Sequence, residues 1–160
     1  MAITEALEAR PELKVYGSGA VINRFEARPS QVIAVEDGDS FMVSEFRIDV
    51  YGKQHALVHA DIPRVANVGY LIDQRLYHPG DAYHVPPVPV EVLLLPTSGP
   101  WTKAGEAVDY VRAVNPKLLI QIHEILLSEN GQQSLVRILG PSVLNVISLT
   151  ILAIGDSITI

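Results

Sequence analysis

The sequence predicts an α/β layered domain: a mixed β-sheet with helices flanking it on the outer face. Three observations carry this. As far as His78, short runs alternate apolar and polar residues, as half-buried strands do. Beyond the prolines at 86, 87 and 89, two runs are continuously apolar, Glu91 to Leu95 and Leu118 to Ile122, as in strands buried on both faces. Each of these is followed by a stretch with helical spacing. Hairpins first, then strand–helix–strand–helix, is the order of a layered α/β domain. The 160 residues suit a single domain over 1–160.

The elements follow in order. Ile3 to Arg10 reads as a short helix stopped before Pro11, with Ile3, Ala6 and Leu7 on one face. Leu13 to Tyr16 is a short strand, and Ser18 is placed to cap a helix reaching about Phe25. Val32 to Val35, Phe41 to Val43 and Phe46 to Val58 alternate as strands, with Asp37-Gly38 as a hairpin turn between the first two. Val68 to Ile72 and Arg75 to His78 pair around Asp73-Gln74. Pro100 opens a helix from Trp101 to Val114. Gln132 to Leu139 is a second long helix, ended by Gly140-Pro141. Two β-rich runs, Ile147 to Ile154 and Ser157 to Ile160, close the chain.

Composition narrows the function classes. A net charge of −6, with no Lys or Arg run, gives no footprint for nucleic acid and disfavours an anionic membrane surface. Cysteine is absent, so disulfides, thiolate ligands and thiol nucleophiles are excluded. The first residues contain acids and no apolar core region, unlike a signal peptide. The tail from Val143 to Ile160 is too short and too polar to span a membrane. A cytoplasmic location is expected.

Five histidines, His55, His59, His78, His84 and His123, lie at or near predicted strand ends, where loops carry function. His123 stops a buried strand. Asp81, in His78-Pro79-Gly80-Asp81, sits where a tight turn exposes a carboxylate able to bridge cations. His55 and His59 are four apart, about 13 Å along a strand, too far to share one ion. Gly17-Ser18-Gly19 imitates the start of a dinucleotide fingerprint, but Ile22 occupies the third glycine position and no parallel crossover follows. Ser98 lacks the flanking glycine of a nucleophile elbow.

Three segments together resemble the second half of metallo-β-lactamase-fold hydrolases, closest to the lactonase-like and phosphodiesterase-like branch. They are Val68-Gly69-Tyr70-Leu71-Ile72-Asp73, Leu76-Tyr77-His78-Pro79-Gly80-Asp81 and Val92-Leu93-Leu94-Leu95-Pro96. The resemblance runs from about Ala2 to Gly140. It implies a partial metallo-β-lactamase-like layered fold in which Asp81 is the bridging carboxylate and His123 a further metal ligand. It implies a third ligand too, at His55, with His59 as the competing choice. The family signature H-x-H-x-D-H is absent, and no H-x-H occurs anywhere. Met1 falls about where the sequence just after that signature begins, so truncation on the N-terminal side is expected.

The resemblance further implies zinc, with iron or manganese in some branches, and hydroxide attack on an ester, lactone or phosphodiester. The substrate would be a small molecule. Activity of this chain alone is expected to be doubtful, and a non-catalytic interaction module that kept the scaffold is the alternative. Uncovered apolar strands predict a homo-oligomer.

Overall fold

A computed structural model describes residues 2–25, 28–141, 143–144 and 147–160. Its centre is a seven-stranded sheet in strict chain order, β3 to β9. The strands are β3 (Ser40–Val43), β4 (Phe46–Tyr51), β5 (Gly69–Ile72), β6 (Leu76–His78), β7 (Val92–Pro96), β8 (Leu118–Ile122) and β9 (Leu149–Thr150). The first four pair antiparallel, β3–β4 and β5–β6 through tight turns and β4–β5 across the long loop from Gly52 to Val68. The rest pair parallel, which demands long connections. Two of these are helices, α3 (Ala104–Val114) and α4 (Glu129–Leu139). Successive right-handed crossovers in one direction put both on the same face.

That face is the core. Leu71, Tyr77, Leu93, Leu95 and Leu119, each fully buried, meet Val108, Tyr110 and Val111 of α3 and Leu139 of α4. Five such side chains of the sheet contribute on the order of 10 kcal/mol of transfer free energy, at about 2 kcal/mol each. The opposite face is less covered: Leu94, Leu118 and Ile122 are only half-buried. Val92, Pro96 and Ile120 are nevertheless buried on that face, so the two continuous apolar runs are largely buried on both sides, as expected.

A smaller parallel pair, β1 (Val15–Gly17) with β2 (Val32–Ala34), stands apart from the main sheet. Asp37-Gly38 is thus not a hairpin between Val32–Val35 and Phe41–Val43. The Asp37 carboxylate instead accepts from the Gly52 N–H at 2.8 Å, just past the end of β4. That end, with Gly52 at φ +86°, stops the long predicted strand at Tyr51. His55 and His59 consequently lie in a loop, where only Gln54 bridges to Ala66.

Helix α1 covers Ala2–Ala9, and α2 (Gly19–Ile22) continues as a 3-10 turn to Phe25. Ser18 precedes α2 without a side-chain cap; its carbonyl accepts from Val21 and Ile22. Pro100 opens a turn rather than α3, because Thr102 bonds back to Gly99 and folds Trp101 into the interior. Helix α4 starts three residues before the predicted point, since the Ser128 hydroxyl accepts from Gly131 N–H and caps it. Among the described residues of the tail, only Leu149–Thr150 pairs. Asp156 then closes a turn on Ala153, which breaks the expected run of strand. Ser142, Asn145 and Val146 of that tail lie outside the described residues.

Candidate metal centre

Asp81, His55 and His123 arrive from three different segments and meet. Asp81 follows β6 in the turn Pro79-Gly80-Asp81. Gly80 takes φ +69°, and a Cβ there would sit 2.2 Å from Asn67 Oδ1. Asn67 clamps the turn from both sides. Its Nδ2 donates to Pro79 O at 2.9 Å, and its Oδ1 accepts from Asp81 N at 2.8 Å. The Asp81 carbonyl in turn accepts from Ala56 N at 2.8 Å, which ties the turn to the His55 loop.

His55 is fixed by its main chain, N–H to Val65 O at 2.9 Å. Its ring Nδ1 lies 2.7 Å from the carbonyl of Ala56. A carbonyl only accepts, so Nδ1 carries the proton and Nε2 is left as the outward-facing atom. The edge of the ring meets buried Trp101, centroids 5.8 Å apart. His123 follows β8 with φ +54°, a left-handed conformation that costs a histidine free energy and collects at functional positions. Two groups hold it there: Ser98 N–H and Ser98 Oγ both donate to the His123 carbonyl, the former at 3.0 Å.

Asp81 stands between the two rings. Its Oδ2 is 3.8 Å from His55 Nε2, and its Oδ1 is 3.4 Å from His123 Nε2. Each imidazole therefore faces a different carboxylate oxygen. Two donors bound tetrahedrally to one zinc at about 2.0–2.1 Å would stand about 3.3 Å apart. The His123 pair has that spacing and the His55 pair is wider. A nitrogen lone pair turned toward a carboxylate oxygen needs a proton or a cation between them. Among the described residues, however, no group of three or more His, Cys, Asp or Glu closes around a single point.

The other histidines lie elsewhere. His59 is exposed and turned to Asp61, with Nδ1 3.6 Å from Oδ2. His78 Nδ1 accepts from Gly80 N at 3.0 Å, and desolvation lowers its pKa. His84 borders a separate pocket. Asn67 and Ser98 escaped sequence reasoning as positioning residues. Nothing local marks Asn67, and Ser98 drew attention only as a nucleophile.

A family model described as "Beta-lactamase superfamily domain" matches residues 9–123, which includes His55, Asp81 and His123. The chain belongs to the β-lactamase superfamily. Its fold is the metallo-β-lactamase fold: the structure of Igni18, described as a novel metallo hydrolase from the hyperthermophilic archaeon Ignicoccus hospitalis KIN4/I, superposes with TM-score 0.72. That match has 15% sequence identity and covers 98% of this chain and 72% of the other. In sequence, this superfamily member is 39% identical over 104 residues to Protein Rv0786c of Mycobacterium tuberculosis (strain ATCC 25618 / H37Rv). That stretch is 62% of this chain and 49% of the relative, so the chain spans about half the length of the curated relative it matches. Among the described residues, no helix is long and apolar enough to cross a membrane.

Proposed function

We propose that this chain carries half of the metal site of a metal-dependent hydrolase, with His55, Asp81 and His123 as its ligands. The observation that supports this reading is the Asp81 carboxylate set between two imidazole Nε2 atoms, one per oxygen. Imidazole nitrogen and carboxylate oxygen are the donors zinc takes; iron and manganese accept them too.

The donor chemistry fits and the donor number does not. One histidine and one carboxylate oxygen per cation position falls short of the three protein ligands usual in catalytic zinc sites. The missing donors are those the absent H-x-H-x-D-H would supply, and this reading assigns them to polypeptide beyond these residues or to another chain. These residues would hold a divalent ion, which when bound would lower the pKa of water enough to provide a hydroxide at neutral pH. The chain's own residues do the rest. The bond from His55 Nδ1 to Ala56 O keeps Nε2 turned to Asp81. Ser98 holds His123 at the strand end, and Asn67 presents the carboxylate. An ester, lactone or phosphodiester of a small molecule is the substrate class, and the cytoplasm the expected location.

A second reading, a non-catalytic interaction module that kept the scaffold, is favoured by the low donor count. Metal binding separates the two. Plasma mass spectrometry after zinc loading and extensive dialysis should find at most one loosely held ion per chain. Asp81→Ala and His123→Ala should each weaken zinc binding sharply in titration, and His84→Ala should not. Two tightly held ions, or equal losses from all three variants, would overturn the half-site. No zinc binding at any concentration would leave the module.

A further inference from the structure

A pocket of about 490 Å³ adjoins the Asp81 turn and has no part in the ligand set. Asp37, Lys53, Gln54, Arg64, Tyr83 and His84 line it, and its wall also includes Ala56 and Ala82. Ala56 follows His55 and Ala82 follows Asp81, so the pocket shares its backbone wall with the candidate centre.

Its electrostatics run against those of the chain, whose net charge is −6. Arg64 donates through Nε to the His55 carbonyl at 2.7 Å. Among the described residues, no carboxylate lies within ion-pair distance of its guanidinium. The single anchored edge holds the fork in place and leaves the Nη donors unspent. The one acid of the lining is already engaged: Asp37 Oδ1 accepts from Gly52 N at 2.8 Å, and Oδ2 lies 3.6 Å from Lys53 Nζ. The antiparallel bridge from Gln54 to Ala66, with Asn67 N donating to Lys53 O at 3.2 Å, places Lys53 and Arg64 on neighbouring strands of chain. A planar fork with both Nη nitrogens free suits a carboxylate or a phosphate, which it binds in bidentate fashion.

We infer that this pocket is an anion-binding subsite in which Arg64, assisted by Lys53, holds a carboxylate or phosphate group of a small molecule. The half-site reading enters only in placing the molecule's reacting bond toward Asp81; the binding itself needs no metal. It is therefore tested in chelator, on the full chain, by NMR titration with inorganic phosphate and, in a separate arm, with acetate. Saturable shifts at the Arg64 Nε–H and at the Gln54 and Ala82 amides are expected. Arg64→Gln should raise the dissociation constant about tenfold or more, equivalent to a charge-assisted bond. Arg64→Lys should fall between, and Lys117→Gln, remote at Glu91, should change nothing. The stronger arm names the group as phosphate or carboxylate. Linear, unsaturable shifts, or equal affinities for the wild-type chain and Arg64→Gln, would overturn the subsite. Anion binding that persists in a chain unable to bind zinc would sink the half-site while leaving the subsite standing.

Discussion

Replacing Gly80 by alanine tests how the Asp81 turn is built. The backbone cost comes from φ +69°, a left-handed conformation worth about 1–2 kcal/mol for a residue with a Cβ. The steric cost is specific: the new Cβ would sit 2.2 Å from Asn67 Oδ1, so Asn67 must move. Moving it forfeits the bonds to Pro79 O and Asp81 N, at about 1 kcal/mol net each. Gly80→Ala should therefore destabilise by about 3–4 kcal/mol. Gly38 is the internal control, with φ +97° and nothing within 4 Å of a Cβ, so Gly38→Ala should cost only the backbone share. Asn67→Ala alone should cost about 2 kcal/mol. In that background Gly80→Ala should fall back to about 1–2 kcal/mol, a coupling of about 2 kcal/mol. Urea unfolding followed by circular dichroism, at constant m-value, measures all four. Equal costs at Gly80 and Gly38, or no coupling with Asn67, would refute the clamp.

Other predictions follow from the same structure. Asp49 is buried and accepts three hydrogen bonds from Arg47 Nε and Nη2 at 2.8–3.1 Å; that hydrogen bonding holds its carboxyl below the usual range. Because the folded pKa is depressed, the pair stabilises fully above the unfolded value of about 3.9 and its contribution is lost as pH falls through the folded value. Half-exposure of Arg47 screens the pair and keeps the gain on the scale of a surface ion pair. Asp49→Asn should erase that acid-dependent part of the stability–pH curve, and an unchanged slope below about pH 4 would count against the pair. Ser98→Ala removes one donor to the His123 carbonyl and the acceptor for Leu126 N, and should cost about 1–2 kcal/mol in urea unfolding. A cost under about 0.5 kcal/mol would mean that the main-chain bond suffices. The half-covered face bears a groove of about 430 Å³ bordered by Phe41, Ile48, Tyr70 and Ile72. We expect a twofold dimer through it by light scattering, dispersed by Ile72→Lys. A monomer at every concentration contradicts this.

The strands and the helical layer could be read because each rests on local pattern. Leu71 and Leu93 alternate or run as their neighbours demand, and α3 and α4 repeat apolar residues at helical spacing. What could not be read was long-range. Val32 to Ala34 alternates like its neighbours, yet it pairs with Val15–Gly17, and nothing within it announces that partner. Glu91–Leu95 and Leu118–Ile122 read correctly as largely buried on both faces, though nothing in an all-apolar run marks that Leu94, Leu118 and Ile122 are only half-covered. At the site, His123 and Asp81 stood out by position, the first ending an apolar strand, the second following a glycine turn. Asn67 did not, since its function is to span from one loop to another 14 residues on. The loop carrying His55 was mistaken for strand, because Gly52, which breaks it, is tolerated in alternating runs.

The anchoring of Asp81 has a consequence for how this position can change. Every bond that sets the turn passes through main chain: its N–H goes to Asn67 and its C=O to Ala56 N. Among the described residues, the carboxylate itself receives only the approach of two histidine rings. Asp81→Asn or Asp81→Ser should then leave the unfolding midpoint nearly where it was while altering what the two rings face. The side chain at this position is then free to vary without a cost to folding, so a library at position 81 can be made without a stability filter.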